Sequence, residues 1–290
     1  MSNLAVGTYF TDIQFYDENW QFICEDRREV EVTGDGGPCD TTVCQGDVWL
    51  RTQAEVDAFC GCEVIEGFLR IGEESIVTTT ESDISDLSNL SSIRRVRGFV
   101  QIFKTQLTNL KGLGGLKQVS SLGIGANGQL TSLDGLRQLE RVDLLLSFIN
   151  NPKLQKLDGL ERLNFIGQQI ILIGNDQLNS IEILKNNTNT TLDRIQILRN
   201  NSLLNLEGLN NVTSIRTNKQ GLLIIGDNAQ LRDISALQQI TFIEDGLTID
   251  SNPNLLDCCP IAHLIDDDPN NGQVAGGINI NDNGFSCNSV

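Results

Sequence analysis

Residues Leu107–Leu113 read LTNLKGL, and seven other stretches repeat the phrase with small changes. ISDLSNL starts at Ile84, LTSLDGL at Leu130, LQKLDGL at Leu154 and LNSIEIL at Leu178; LLNLEGL follows at Leu203, LRDISAL at Leu231 and LLDCCPI at Leu255. From Leu107 onward the starts are 23, 24, 24, 25, 28 and 24 residues apart. A period of this size marks a solenoid: each repeat is one coil, which cannot bury its apolar side alone and buries it against its neighbours.

Each phrase follows a short run of strand character: FLRIG, FVQIF, LGIGA, LLSFINN, IILIGND, IQILRNN, LLIIGDN, LTIDSNP and ININD. Apolar residues alternate in these runs, the period of a strand with one face inward. The inward set is Leu69 and Ile71, Leu122 and Ile124, Leu146 and Phe148, Ile195 and Ile197, Leu223 and Ile225, and Leu247 and Ile249. The phrase adds three apolar groups on the return side, and Leu139, Leu163, Val212 and Ile240 close the coil. Asn, Asp and Gly at the strand exits supply tight turns. The expected fold is mainly β: a right-handed parallel β-helix or leucine-rich-repeat-like solenoid of about nine coils, on the order of 40 Å long. Its ends need covers. TQAEVDAFC, with Thr52 as N-cap, predicts a short N-terminal capping helix over the first coil.

The composition agrees. The chain has 290 residues with 39% hydrophobic and only 5% aromatic content, which suits many short aliphatic strands. A net charge of −17 repels phosphate backbones and sets nucleic acid aside. No stretch approaches the length of apolar chain that spans a membrane. The start, MSNLAVGTYFTD, lacks the pattern of an export signal. Eight cysteines cluster at the two ends: Cys24, Cys39, Cys44, Cys60 and Cys62, then Cys258, Cys259 and Cys287. That distribution fits disulfides pinning the ends of an elongated domain in an oxidising compartment, hence a secreted or cell-surface protein.

The stretch VCQGDVWLRTQAEVDAFCGCEVIEGFLRIG resembles the start of a receptor L domain, the ligand-binding, leucine-rich-repeat-like module of insulin and epidermal growth factor receptors and of surface proteins of marine bacteria. The residues that carry it are Cys-x-Gly at Cys44 and Cys-x-Val-x-x-Gly-x-Leu-x-Ile from Cys62 to Ile71, with LLDCCPIAHLIDDDPNNGQVAGGINI at the other end. The resemblance covers about residues 44 to 287 and implies a Cys44–Cys62 disulfide. Cys60 departs from the pattern and has Cys39 or Cys24 as partner; Cys287 pairs with Cys258 or Cys259. Residues 1–43 form a β-rich N-terminal extension. Residues 44–290 form the solenoid: 44–67 a cap, 68–254 the coils, 255–290 a second cap. Five cysteines at one end and three at the other are both odd numbers. Two arrangements answer this. The extension runs along the solenoid so that Cys24 reaches Cys258 or Cys259, or it forms a local hairpin and leaves one free or intermolecular thiol at each end.

Nothing in the sequence points to catalysis, a cofactor or a metal. The one histidine, His263, reads as a helix-surface residue. DDDPNNG from Asp266 lacks the glycine and glutamate of a calcium loop and reads as an acidic turn. Sequons stand at Asn89, Asn186, Asn189, Asn200 and Asn211. The outward sheet face is the better clue. It carries Phe68, Arg70, Phe99, Gln101, Phe103, Gly123, Gly125, Leu145, Ser147, Ile149, Ile171, Ile173, Gln196, Leu198, Leu222, Ile224, Thr248 and Asp250. Its middle is more apolar than solvent exposure requires, which marks a partner site. A register shifted by one, or the extension lying across the patch, would remove that reading. The candidate ligand-binding set is Arg70, Gln101, Phe103, Leu145, Ile149, Ile171, Ile173, Leu198 and Ile224. The expected function is non-catalytic binding of a peptide or protein, insulin- or growth-factor-like in the sharpest version. The alternative is a structural or adhesive module of a larger surface protein that binds glycans.

Overall fold

The computed structural model describes residues 42–290 except 60, 78, 217–220, 267–271, 286 and 288–290, and the backbone of the strands Thr8–Tyr16 and Phe22–Glu31. It is a mainly β solenoid. One wall is a parallel sheet in which Val48–Leu50, Leu69–Gly72, Arg95–Phe103, Gln118–Gly125, Leu145–Ile149, Gln169–Ile173, Arg194–Leu198, Leu222–Gly226, Gly246–Asp250 and Gly277–Asn281 pair in chain order. From Leu69 to Asn281 these strands delimit about eight turns. A side wall of two-residue strands, such as Arg141–Val142 and Phe165–Ile166, completes each coil.

The register is the one the alternation predicts. Leu69, Val100, Leu122, Leu146, Ile170, Ile195, Leu223 and Leu247 form one buried column; Ile71, Ile102, Ile124, Phe148, Leu172, Ile197, Ile225 and Ile249 form the next. Leu139, Leu163, Val212 and Ile240 are buried on the return side. Stacking apolar groups at the strand spacing is what holds the coils together, at about 25 cal/mol per Å² of apolar area removed from water.

The repeat phrase has two conformations, and its sixth residue decides between them. Where that residue is Gly112, Gly135, Gly159 or Gly208, φ lies between 112° and 119°. A Cβ at Gly135 would stand 1.8 Å from the Leu110 carbonyl of the preceding coil, so only glycine fits. Where the sixth residue is Asn89, Ile183, Ala236 or Pro260, the phrase winds instead into a 3₁₀ turn: Ser88–Leu90, Glu182–Asn186, Ser235–Leu237 or Cys259–Ile261.

A second column runs along the strand exits. Asn127, Asn151, Asn175, Asn200, Asn228 and Asn252 are buried, and Asn283 ends the row. Asn151 is representative. Its Nδ2 donates to the Ile124 carbonyl of the previous coil at 3.0 Å, and its Oδ1 accepts the Asn127 N–H at 3.3 Å. Its own N–H donates to Asn175 Oδ1 at 3.1 Å. The residue before each ladder asparagine is left-handed: Ala126, Asn150, Gly174, Arg199, Asp227, Ser251 and Asp282. The strand-exit turn is thus made by the residue before each ladder asparagine, and not only by Asn, Asp and Gly.

The N-terminal end carries a helix, Gln53–Ala58. Thr52 accepts the Glu55 N–H, and Glu55 reaches back to the Thr52 N–H, a reciprocal cap. Val56 on this helix is fully buried. Cys44 bonds Cys62 and Cys258 bonds Cys287, so Cys258 and not Cys259 is the partner at the far end. Cys259 is free and exposed. With Cys258 occupied and Cys259 free, neither receives Cys24. The backbone of Thr8–Tyr16 and Phe22–Glu31 pairs antiparallel as a hairpin. The pairings of Cys24, Cys39 and Cys60 lie outside the described residues. So does most of DDDPNNG.

Candidate functional site

The outer face of the wall has three columns. Along the middle one run Trp49, Arg70, Gln101, Gly123, Ser147, Ile171, Gln196, Ile224, Thr248 and Asn279. On one side stand Phe68, Phe99, Ser121, Leu145, Gln169, Arg194 and Leu222; on the other, Gly72, Phe103, Gly125, Ile149, Ile173, Leu198, Gly226 and Asp250. All nine residues of the expected ligand-binding set therefore share this face, and the alternative register is excluded.

The face divides into three zones. The first is aromatic and cationic. Phe68 and Phe99 stack with ring centroids 4.6 Å apart. The Arg70 guanidinium lies 4.9 Å from the Trp49 ring and 5.2 Å from that of Phe68, and Arg51 covers Trp49 at 3.5 Å. Arg70 Nε donates to Gln101 Oε1 at 2.9 Å, and Trp49 Nε1 donates to the Gly72 carbonyl at 3.0 Å. Burial holds the Arg70 guanidinium below the usual arginine range, Glu74 opposes that shift, and Arg51 adds to it. Cation–π contact offsets part of the desolvation cost of such a site. Gly123 and Gly125 then leave a step. The Phe103 ring lies against both, and Ile76, from the segment after Leu69–Gly72, reaches over Gly125. The middle zone is aliphatic, with Leu145, Ile149, Ile171, Ile173, Leu198, Leu222 and Ile224. The last zone, Thr248, Asp250, Asn279 and Asn281, is polar.

Three members of the expected set are not open side chains. Arg70 is 7% exposed, Ile149 7% and Ile173 4%. The remaining six, Gln101, Phe103, Leu145, Ile171, Leu198 and Ile224, are half-buried. Long side chains stacked at one strand spacing shield one another, an effect that alternation along a single strand does not report. Trp49 and Arg51 belong to the aromatic zone and were missed because Val48–Leu50 precedes the first recognisable repeat.

The sequon asparagines all have the side-chain nitrogen engaged. Asn89 donates to the Asp57 carbonyl, Asn186 to Glu161, Asn189 to Ile166 and Gly167, Asn200 to Leu172 and Asn211 to Lys185. Asn200 is a fully buried ladder member. His263 sits half-buried with Nε2 2.7 Å from the Ile240 carbonyl. Among the described residues no group of three or more His, Cys, Asp or Glu is arranged to hold a metal ion, and no helix is long and apolar enough to cross a membrane.

Residues 61–127 match the family model of the receptor L domain. The match begins beside the Cys44–Cys62 disulfide and ends on the first ladder asparagine, Asn127. That family is a non-catalytic ligand-binding module of receptors. No curated protein and no solved structure matches the chain.

Proposed function

We propose that the protein is a non-catalytic, extracellular ligand-binding module that captures a peptide or protein on the outer face of its parallel sheet. The observation that carries this reading is the run of aliphatic side chains at Leu145, Ile171, Leu198, Leu222 and Ile224, next to an aromatic zone built around Arg70. A rigid sheet presents these groups with little ordering cost on binding, which favours affinity. Aromatic and arginine groups are the residue types that anchor protein partners. The polar zone around Asp250 gives the face a direction, so a ligand with one apolar and one polar end would bind in one orientation. The family match supports ligand binding, and the stapled ends support an oxidising, extracellular setting. The helix Gln53–Ala58 acts as the cap of the first coil in this reading. Residues 44–290 are the binding unit, and 1–43 an appended extension.

The test is capture of ligand from extracellular extract by the oxidised chain, compared with Ile171→Asp and Ile224→Asp variants. Both positions are half-buried and outward, so the fold should persist with an unchanged circular dichroism spectrum. Capture is expected to fall at least tenfold. Undiminished capture by folded variants would place the ligand elsewhere.

A further inference from the structure

The last wall strand, Gly277–Asn281, pairs with Gly246–Asp250 on one side and with no strand on the other among the described residues. Gly277 N–H donates to the Asp245 carbonyl, and the Asn281 carbonyl accepts Ser251 N–H. Residues 277, 279 and 281 therefore turn their backbone groups into the molecule, and 278 and 280 turn theirs outward, as strand alternation requires. Ile278 extends the column of Leu247 yet is 47% exposed. In the same terminal layer Phe285 is 92% exposed. Gly284 packs against Leu256, which keeps that side apolar too. From Ala275 to Asn281 there is no charge and no proline, two of the features that usually blunt an edge strand.

We propose that this edge is a homodimer interface, in which two copies pair Gly277–Asn281 antiparallel about a two-fold axis at Asn279. The sequence Gly-Ile-Asn-Ile-Asn fits itself in that register. Ile278 of one copy faces Ile280 of the other, and these are the residues whose N–H and C=O point outward. Four backbone hydrogen bonds close between them. The axis stands perpendicular to the sheet, so both isoleucines of each copy remain on the inner face and the two cores become continuous. Ile278 loses its exposure, and Phe285 with Leu256 borders the seam. Each copy carries a charge of −17, and the contact falls on an uncharged strip. An isologous contact of this kind closes at two copies and does not grow into a fibre.

The full chain with Cys259→Ser, which removes the exposed thiol, should sediment as a dimer at micromolar concentration. Ile278→Asp should give a monomer with an unchanged circular dichroism spectrum. Asn279→Cys should give a covalent dimer on oxidation, because residue 279 faces itself in a non-hydrogen-bonded pair; Asn281→Cys, facing Gly277, should not. A monomeric Cys259→Ser chain, a dimer that survives Ile278→Asp, or equal cross-linking at 279 and 281 would each overturn the proposal. If Ile278→Asp unfolds, the cross-linking pair still decides.

Discussion

The two ends of the solenoid meet the same problem differently. At the N-terminal end the wall strand is three residues long, and the chain leaves it at once for the capped helix Gln53–Ala58. Polar bridges tie that helix to the coil beneath. Gln53 Oε1 accepts the N–H groups of Ser85 and Asp86, Asp83 accepts the Gln53 N–H, and Asn89 donates to the Asp57 carbonyl. At the C-terminal end the short helix Ala262–Ile265 lies by the side wall, near Gln273–Val274, and no described strand pairs with the outer side of the five-residue edge strand. Both ends have a disulfide, so the difference is not one of stapling. Interior coils are nearly interchangeable, and a repeat protein differentiates itself at its ends, where nearest-neighbour terms are missing.

The largest expected effect separates interior from end. Asn175→Ala removes the acceptor of the Asn151 N–H and the donor to Phe148, leaving buried groups unpaired. It should lower stability by about 4 kcal/mol in urea unfolding, against about 2 kcal/mol for Asn283→Ala, where water can reach the gap. Equal losses would mean that the last coil is as closed as the middle. Next come the disulfides, which close separations of 18 and 29 residues. Chain entropy alone makes them worth about 3 kcal/mol each. Cys62→Ser should shift the global transition because the helix and Val56 leave with it. Cys287→Ser should instead open residues 273–287 locally in hydrogen exchange, with the remaining coils still protected. The smallest effect belongs to Asp250. Burial raises its carboxyl above the usual range, and Asp227 and Asp282 add to this. A raised folded-state value means that ionisation opposes folding at neutral pH. Asp250→Asn should therefore raise Tm at pH 7, and the gain should vanish below about pH 4, where the group is protonated folded or unfolded. A gain that persists at low pH would assign the effect to something other than charge.

Much of this architecture was legible because its period is regular. The inward columns from Leu69 to Ile249 followed from alternation, and the coils from the spacing of the LxxLxGL phrase. The Asn ladder had a signal that composition hid. Asparagine recurs three residues after the second inward residue, at Asn127 after Ile124 and onward to Asn283 after Ile280. In a chain rich in asparagine this reads as turn chemistry, but the turn belongs to the residue before it. The switch between a glycine turn and a 3₁₀ turn was likewise present as Gly112 against Ala236. Neighbouring side chains hid the rest. That Arg70 and Ile173 are covered depends on stacking between coils, and that Ile76 lies over Gly125 depends on a segment with no period of its own. Trp49 joins the face through a strand too short to announce itself.

The ladder also has a direction along the chain. Asn151 finds its donor's partner, the Ile124 carbonyl, in the coil already made, but its own N–H waits for the side chain of Asn175. Each coil therefore completes the exit turn of its predecessor, while its own is satisfied only by the next coil, 24 or so residues on. A chain cut between Asn127 and Asn283 would therefore lose ladder partners only in its last remaining coil.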